Sequence, residues 1–405
     1  MTNVIVIGAG PAGMAAAVTA AGRGASVTLI DKNEKFGKKL YITGKGRCNL
    51  TNDCDEEEFL KNVISNSNFL YSSIYRYNSR YIMAFFEKLG VKLKIERGGR
   101  VFPVSEKASD ITKAFKKELD RLNVNMMLNT EVTGIVCQDN KIIGVQTGKG
   151  FLEADAVIIA TGGLSYPSTG STGDGYEFAK AAGHEITEQK PALVPLTSPD
   201  GFVSELAGLS LKNVGVRFLV EGKLVFQSFG EMLFTHTGVS GPLILTASRY
   251  YKPGSAEIII DLKPALDDGA LDKRILKDFE ENKNRQFKNS LDALLPTKII
   301  PVVIKKSVID AEKKVNEITR AEREQLVKAI KSFAVRINGT EGWSQAVITA
   351  GGVAVNQISP STMESKLCRG LYFAGEVLDL DALTGGFNLQ IAFCTGFAAG
   401  DSVIN

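Results

Sequence analysis

The sequence has few of the residues from which metal centres and thiol chemistry are built. Its 405 residues include only two histidines, His184 and His236, so neither a histidine-rich metal site nor a chain of catalytic histidines is expected. The five cysteines form no CxxC pair and show no spacing suited to zinc. An odd number of cysteines in a chain of this size is typical of reduced thiols, which favours a cytoplasmic location.

Long apolar runs and a strong net charge are also missing. No run approaches the roughly 18 apolar residues of a membrane span, and the apolar stretch at residues 4–7 lacks the basic flank of a signal peptide. The 48 basic and 45 acidic side chains leave a net charge of +3, which creates no general field for nucleic acid or anionic lipid. We therefore expect a cytoplasmic protein that acts on a small molecule, without a nucleic-acid or membrane partner. The oligomeric state is left open.

Glycine, by contrast, is abundant, and many of the 40 glycines fall in short clusters that are typical of a close backbone approach to a ligand. The first cluster, GAGPAG at residues 8–13, is a GxGxxG pattern. It lies between a predicted strand at Val4–Ile7 and a predicted helix at Pro11–Ala21, and a second predicted strand at Val27–Ile30 ends at Asp31. This order of elements predicts one complete βαβ unit.

The residues of this unit suit a dinucleotide. Gly8 permits the tight turn, Gly10 lets the backbone approach the pyrophosphate, and Gly13 lets the helix pack against the strand. The pyrophosphate then meets free N–H groups at the positive end of the helix, and Asp31 accepts hydrogen bonds from the adenosine ribose. Because all these features coincide, a dinucleotide site is favoured over a glycine-rich turn that only caps a helix.

Three later segments favour FAD as that dinucleotide. Residues 158–163 (IIATGG) and 371–376 (LYFAGE) are predicted strands that end in small residues or in an acid, and Asp379 follows the second. Residues 385–390 (GGFNLQ) open a predicted helix whose N–H groups would stabilise negative charge at the pyrimidine edge of reduced flavin. The basic, glycine-rich residues 38–49 (KKLYITGKGRCN) follow the βαβ unit directly, so a loop that contacts phosphate and flavin is favoured over a solvated turn.

The texture of the chain changes in its second half. From about Pro191, predicted strands alternate with turns and no intervening helix, which indicates an antiparallel β unit. Residues 265–335 are charged and helical, with a capping box at Thr319 and Glu322. We therefore predict an FAD-binding domain at 1–190 and 346–405, interrupted by two insertions. These are a β-rich domain at 191–264 and 336–345 and a helical subdomain at 265–335.

Seven motifs together resemble one family: GAGPAG, GKGRCN, FTHTGVSGP, ITAGGV, TMESK, GLYFAGEVLD and TGGFNLQIAFCTG. They resemble, over nearly the whole chain, the bacterial flavoproteins that include aminoacetone oxidase and the BaiN-type 3-dehydro-bile-acid reductases. The resemblance implies an α/β protein with a glutathione-reductase-like, Rossmann-type FAD domain and an inserted β-barrel plus small helical domain. One departure is Gln357, where the resemblance leads us to expect an acid.

By motif, the resemblance also implies the residues that hold FAD, with Val132 as the adenine contact through its backbone. The full set is Gly8, Gly10, Pro11, Ala12, Gly13, Asp31, Lys32, Lys39, Gly44, Gly46, Arg47, Cys48, Asn49, Val132, Thr161, Gly162, Gly375, Glu376, Asp379, Gly386, Phe387, Asn388, Leu389 and Gln390.

The expected activity is hydride transfer between flavin N5 and an organic substrate. The resemblance favours NAD(P)H-dependent reduction of an enone C=C in a steroid-like 3-oxo bile acid, and its alternative is oxidation of a small amino ketone by oxygen. A second GxGxxG unit for NAD(P)H and a CxxxxC dithiol are both missing from the sequence, so the electron donor, a docked NAD(P)H or none, is left open. His236 is the candidate for substrate binding or proton transfer, against a hydrogen bond that only stabilises its loop.

A different class of function is raised by a basic cluster. Its members are Lys92, Lys94, Arg97, Arg100, Lys107, Lys113, Lys116 and Lys117. Interspersed acids favour a solvated face over an RNA-associated flavoprotein. A regulator that carries flavin without turnover is the third class.

Overall fold

The computed structural model describes residues 1–404 and divides them into two compact units. Unit 1 comprises Met1–Ala192 and the chain from Trp343 onward, and unit 2 is Leu193–Gly342. Each unit has its own apolar core. Within the described residues, no helix is long and apolar enough to cross a bilayer. The finer domain boundaries and the cytoplasmic location stay predictions.

The strands of the described chain are short, except for two long ones in unit 2. In chain order they are β1 (Asn3–Ile7), β2 (Ser26–Ile30), β3 (Thr51–Asn52), β4 (Leu93–Glu96), β5 (Arg100–Pro103), β6 (Asn125–Met127), β7 (Val132–Gln138), β8 (Lys141–Thr147), β9 (Gly150–Glu153), β10 (Ala156–Ile159), β11 (Lys190–Ala192), β12 (Leu196–Thr197), β13 (Ser210–Val220), β14 (Lys223–Phe234), β15 (Gly238–Ser240), β16 (Ala256–Asp261), β17 (Phe333–Ile337), β18 (Gly339–Thr340), β19 (Ile348–Ala350) and β20 (Leu371–Phe373).

The α-helices of the described chain are longest at its C-terminal end. In chain order they are α1 (Pro11–Gly22), α2 (Glu56–Lys61), α3 (Tyr71–Arg76), α4 (Ser79–Lys88), α5 (Ala108–Arg121), α6 (Asp174–Ala181), α7 (Phe202–Glu205), α8 (Pro242–Ser248), α9 (Asp268–Glu281), α10 (Ile300–Ser307), α11 (Arg320–Lys331) and α12 (Phe387–Ser402).

A five-stranded parallel sheet is the centre of unit 1, with the strand order β20-β10-β1-β2-β6. Its register aligns the last residues of neighbouring strands, so that Ile7 lies opposite both Ile159 and Ile30, and Phe373 lies opposite Ile159. All carboxyl ends therefore meet at one edge of the sheet. This edge is where ligands bind in open α/β sheets, and β1, β2 and the helix between them confirm the predicted βαβ unit.

Helices α1 and α12 pack unusually closely, because small residues face each other across their contact. A Cβ built on Gly396 would lie 2.3 Å from the carbonyl oxygen of Ala12, and one on Gly400 would lie 2.3 Å from that of Ala16. Strand β20 is held equally close, since a Cβ on Gly375 would lie 2.7 Å from the Cβ of Ala12. The glycine and alanine content of both helices thus fixes where their N-termini stand relative to the sheet edge.

Unit 1 also contains smaller antiparallel ladders. They have the orders β3-β5-β4, β7-β8-β9 and β11-β19. Helices α4 and α5 bury their apolar faces in the core of the same unit.

Unit 2 is built on a seven-stranded antiparallel sheet with the order β17-β16-β13-β14-β15-β12-β18. Helices α9, α10 and α11 bury their apolar faces in the same core as the strands. The predicted capping box of α11 is confirmed, because Glu322 N–H donates to Thr319 Oγ1 (3.3 Å) and Thr319 N–H donates to Glu322 Oε2 (2.7 Å). Closure of this sheet into a barrel stays a prediction.

Candidate functional site

In the turn between β1 and α1, the backbone is tightly packed at Gly8 and borders open space at Gly10. Gly8 has a φ of +99°, and a Cβ there would lie 2.5 Å from the carbonyl oxygen of Ala160. A Cβ on Gly13 would lie only 1.8 Å from the carbonyl oxygen of Gly8, whereas a Cβ on Gly10 would have no heavy atom within 4 Å. The helix ladder begins with Met14 N–H donating to the Gly10 carbonyl (2.9 Å), so the earlier N–H groups face this open space.

Asp31 organises the neighbouring end of the edge. Its Oδ2 accepts a hydrogen bond from Ala9 N–H (2.7 Å), and its Oδ1 accepts from the backbone and side-chain amides of Asn33 (2.8 and 2.9 Å). Thr130 N–H donates to the Asp31 carbonyl (3.0 Å), which brings the segment before Val132 alongside. The structure thus places Thr130, two residues before Val132, beside Asp31, and an adenosine site at Asp31 and Val132 stays a prediction.

The segment that follows β2 adopts a strained backbone at the residues with the most distinctive sequence. Gly44, Lys45, Gly46 and Cys48 all have φ values between +57° and +86°. A Cβ on Gly44 would lie 2.9 Å from the backbone nitrogen of Asn49. The side-chain Oδ1 of Asn49 is buried and accepts no hydrogen bond from the described residues. A left-handed backbone persists where its surroundings impose it, and the unpaired Asn49 Oδ1 is free to accept a hydrogen bond from a bound group.

The side chains of Arg47 and Cys48 in this segment are engaged or buried within the protein. The Arg47 guanidinium lies 4.1 Å from the centre of the Phe102 ring and donates to Glu96 Oε1 (3.0 Å). Cys48 is fully buried, and burial raises the pKa of its thiol to about 12, so it is not a nucleophile. Both residues remain predicted FAD contacts.

Glu376 ties four segments of the sheet edge together. Its Oε2 accepts from Lys39 Nζ (2.6 Å), and its Oε1 accepts from Ser165 Oγ (2.5 Å) and from Thr349 N–H (2.9 Å). The Lys39 ammonium also donates to Ser165 Oγ (2.5 Å). Both carboxylate oxygens of Glu376 already accept hydrogen bonds from the protein. The main role of Glu376 is therefore to position the loops after β2, β10 and β20.

Three further predicted FAD contacts, Lys32, Thr161 and Asp379, differ in burial and in hydrogen bonding. Lys32 donates to Asp174 Oδ2 (2.6 Å), which occupies its ammonium. Thr161 Oγ1 is buried and lacks a hydrogen-bond partner among the described residues. Asp379 follows β20 and is half-buried. Gly162 has a φ of +75°, which lets the chain turn after β10.

Helix α12 presents its N-terminus without a side-chain cap. Gly386 has a φ of +104°, and a Cβ there would lie 2.3 Å from the carbonyl oxygen of Thr51. The ladder begins with Gln390 N–H donating to the Gly386 carbonyl (3.1 Å). The N–H groups of residues 387–389 therefore stand at the positive end of a 16-residue helix.

The side chains of this helix start have structural roles that the sequence did not reveal. Asn388 clamps the preceding loop, because its Oδ1 accepts from Ala382 N–H (2.9 Å) and its Nδ2 donates to the Ala382 carbonyl (2.8 Å). Gln390 is fully buried, accepts from Thr51 Oγ1 (2.6 Å) and donates to the Tyr77 carbonyl (2.7 Å). The side chains of Asn388 and Gln390 are thus engaged within the protein, and the FAD contacts at residues 386–390 stay a prediction.

Three neighbouring residues were missed by sequence reasoning. Ser165 and Thr349 complete the Glu376 cluster, and the Tyr176 hydroxyl is buried without a hydrogen-bond partner among the described residues. Burial raises the pKa of Tyr176, which stays a neutral phenol. Ser165 follows the small-residue strand end directly and could have been found; nothing in the local sequence marks the other two.

His236 lies in unit 2, in the exposed turn between β14 and β15. That turn is closed by Thr235 N–H donating to the Gly238 carbonyl (2.9 Å), without use of the imidazole. The imidazole of His236 makes no hydrogen bond to the residues that the structure describes, and its part in catalysis stays a prediction.

These features fit FAD. The Gly10 opening and the first turn of α1 suit a pyrophosphate, Asp31 suits a ribose, and Asn49 Oδ1 and Thr161 Oγ1 are buried polar atoms that await partners. The N–H groups at the start of α12 suit the electron-rich edge of a flavin. Fold and site together define an FAD-dependent oxidoreductase with a Rossmann-type fold.

Comparison with known proteins identifies the family. The model of the HI0933-like protein Rossmann domain matches residues 2–402, and the chain belongs to this family. The chain is 31% identical over 415 residues to the 3-dehydro-bile acid delta(4,6)-reductase of Clostridium scindens, a match that covers 99% of this chain and 98% of the relative. The family resemblance inferred from the motifs is thereby confirmed.

A second full-length relative has a different named substrate. The chain is 33% identical over 405 residues to the ribosomal RNA dihydrouridine synthase of Haemophilus influenzae, with 98% of both chains covered. Among solved structures, the 3-ketosteroid-delta4-(5alpha)-dehydrogenase of Rhodococcus jostii RHA1 shares the fold, with a TM-score of 0.52 at 15% identity over 100% of this chain and 97% of that one.

Proposed function

We propose that this enzyme reduces a carbon–carbon double bond conjugated to a carbonyl group, with NAD(P)H as the electron donor. The observation that carries the proposal is the chemistry shared by the two full-length relatives. A Δ4,6-double bond next to a 3-oxo group and the C5=C6 bond of uracil are both activated by a carbonyl, so each accepts a hydride at the β-carbon. FAD, when bound, supplies that hydride chemistry.

The residues of unit 1 would hold and tune the cofactor. The first turn of α1 binds the pyrophosphate at Gly10, and Asp31 binds the ribose. The N–H groups of residues 387–389 stabilise negative charge at the edge of the isoalloxazine ring that faces them. Glu376 keeps the loops after β2, β10 and β20 together at the sheet edge, where they would hold the cofactor.

The proposal is tested by anaerobic stopped-flow spectroscopy of the purified yellow protein. We expect NADH or NADPH to bleach the flavin absorbance, and a conjugated 3-oxo-4,6-diene or a uridine-containing RNA to restore it without oxygen. Bleaching by aminoacetone with reoxidation only in air would replace the reductase with an amine oxidase. A flavin that no donor reduces would indicate a regulator without turnover and would overturn the proposal.

Of the two substrate classes, RNA has a surface feature in its favour. A groove of about 540 Å³ lies between the end of α4, the end of β5 and α5, and three exposed lysines, Lys92, Lys113 and Lys117, line it together with Asp110. None of the three lysines has a carboxylate oxygen within 4.0 Å among the described residues, whereas Lys116 is paired with Asp120. Unpaired ammonium groups in a groove suit a phosphodiester backbone.

This groove adjoins the cofactor segment through α5. Thr112 Oγ1 donates to the Tyr41 hydroxyl (2.8 Å), and a Cβ on Gly37 would lie 2.7 Å from the Thr112 methyl group. The face of α5 next to the lysines therefore packs on the loop that follows β2. Of the two substrate classes, we therefore propose the uracil ring of an RNA rather than the steroid-like enone.

Reversing two charges in the groove should separate these substrates. The double variant Lys113→Glu/Lys117→Glu is expected to weaken binding of a ribosomal RNA fragment by about 10-fold or more at moderate salt, because lost phosphate contacts reduce counterion release. Fluorescence anisotropy at several salt concentrations measures both the affinity and the salt slope.

A matched control exists on α9 of unit 2, where Lys273 and Lys277 have the same spacing and are exposed. Lys273→Glu/Lys277→Glu carries the same charge change and should leave RNA binding within about twofold. If both double variants lose the same RNA affinity, the loss comes from net charge and the groove is not the RNA-binding site.

A further inference from the structure

Two thiols of unit 1 lie in direct contact although they are 231 positions apart in the sequence. The Sγ atoms of Cys137 and Cys368 are 3.1 Å apart. Cys137 is exposed at the end of β7, and Cys368 is buried in the turn that leads into β20. A disulfide bond has a length of about 2.05 Å, so a movement of about 1 Å would join the two sulfur atoms.

The backbone holds both segments against each other. Arg369 N–H donates to the Asn140 carbonyl (2.8 Å), and Ile142 N–H donates to the Arg369 carbonyl (2.9 Å). The ladder between β7 and β8 is irregular between Val136 and Cys137. Bulges re-aim side chains, and this one lies at the thiol that faces Cys368.

The turn that carries Cys368 is itself fixed. Ser365 Oγ accepts hydrogen bonds from Leu367 N–H (3.0 Å) and Cys368 N–H (2.9 Å), and it lies 2.8 Å from His184 Nε2. The contact between the sulfur atoms is therefore a property of two constrained segments rather than of two mobile side chains.

We propose that Cys137 and Cys368 form a reversible disulfide when the enzyme meets a low-molecular-weight disulfide such as oxidised glutathione. The Cys137 sulfur attacks the glutathione disulfide and forms a mixed disulfide, and one glutathione leaves with the proton of the Cys137 thiol. The Cys368 sulfur then attacks the Cys137 sulfur, and the second glutathione leaves with the proton of Cys368. Two protein thiols are oxidised, and one disulfide is reduced to two thiols.

The order of the two steps follows from accessibility. Cys137 is exposed and can be reached by an oxidant, whereas Cys368 is 2% exposed. Burial raises the pKa of the Cys368 thiol to about 12, so this thiol is slow to react on its own. Contact with the sulfur of Cys137 supplies the proximity that allows it to resolve the mixed disulfide.

The bond would staple the β7-β8-β9 ladder to the strand whose end carries Glu376. Because it closes a long loop, it should raise the melting temperature of the FAD-free full chain by about 3 °C or more. The increase should disappear when dithiothreitol is added.

The full chain is incubated with oxidised glutathione, and its peptides are analysed by mass spectrometry under non-reducing conditions. We expect a Cys137–Cys368 cross-linked peptide without bound glutathione in the native protein, and one glutathione retained on Cys137 in the Cys368→Ser variant. Cys54→Ser removes a half-buried thiol of the same unit and should leave the cross-link unchanged.

Glutathione retained on Cys137 of the native protein, with no cross-link, would overturn the proposal. So would an unmodified Cys137 under conditions in which Cys54 carries glutathione. A melting temperature of Cys368→Ser equal to that of the reduced native protein separates these outcomes from misfolding.

Discussion

Replacing Gly10 with alanine is expected to weaken FAD binding about 100-fold, or about 2.7 kcal/mol, and to yield a colourless protein that is still folded. The backbone at Gly10 has φ −79° and ψ −174°, which alanine adopts without strain. Apart from the adjoining residues of the chain, no heavy atom of the described protein lies within 4 Å of the added Cβ. The methyl group can therefore obstruct only a ligand that approaches the first turn of α1. Titration of the FAD-free variant with FAD, followed by flavin fluorescence, measures the loss.

Two other glycines of α1 make the test decisive. Gly22→Ala also adds a Cβ into open space, but at the far end of the helix, and should bind FAD as the native protein does. Gly13→Ala would place its Cβ 1.8 Å from the Gly8 carbonyl oxygen, so the turn itself must move and the melting temperature should fall. Native FAD affinity in Gly10→Ala would show that the pyrophosphate is bound elsewhere.

The sequence was informative about this turn because every requirement of the turn is local. Gly8, Gly13 and Asp31 belong to one βαβ unit of about thirty residues. The φ of +99° at Gly8 favours glycine, so this requirement of the turn can be recognised in the sequence. The Thr319 capping box is local in the same sense, and the structure confirms it. The family motifs added the later strand ends, which the parallel register then aligns with β1.

Contacts between distant segments could not be read in the same way. Lys39 and Glu376 were each predicted to touch FAD, but their ion pair joins residues 337 positions apart. Gln390 was predicted at the cofactor, which stays a prediction, but the bonds of its side chain to Thr51 and Tyr77 inside the core could not be read from the sequence. A motif shows which residue types are present, whereas the partner of a buried polar side chain depends on the assembled sheet.

Replacing Glu376 with glutamine is expected to lower the free energy of unfolding of the FAD-free protein by about 3 kcal/mol. The glutamine carbonyl can still accept from Ser165 and Thr349, but its amide then faces the Lys39 ammonium, donor against donor. Lys39 is 19% exposed and would lose its only carboxylate partner among the described residues. Urea unfolding followed by circular dichroism measures the change, without FAD so that binding does not contribute.

A second ion pair of unit 1 provides the comparison. Lys32 and Asp174 are joined at the same distance of 2.6 Å, but their side chains are 27% and 31% exposed, against 19% and 12% for Lys39 and Glu376. Asp174→Asn should therefore cost about 1 kcal/mol or less, because water solvates the ammonium that is left behind. Lys39→Met in the Glu376→Gln background removes the stranded charge and should restore most of the lost stability. If Glu376→Gln costs no more than Asp174→Asn, burial does not strengthen this pair. The loops at the sheet edge would then be held by backbone packing instead of by the carboxylate.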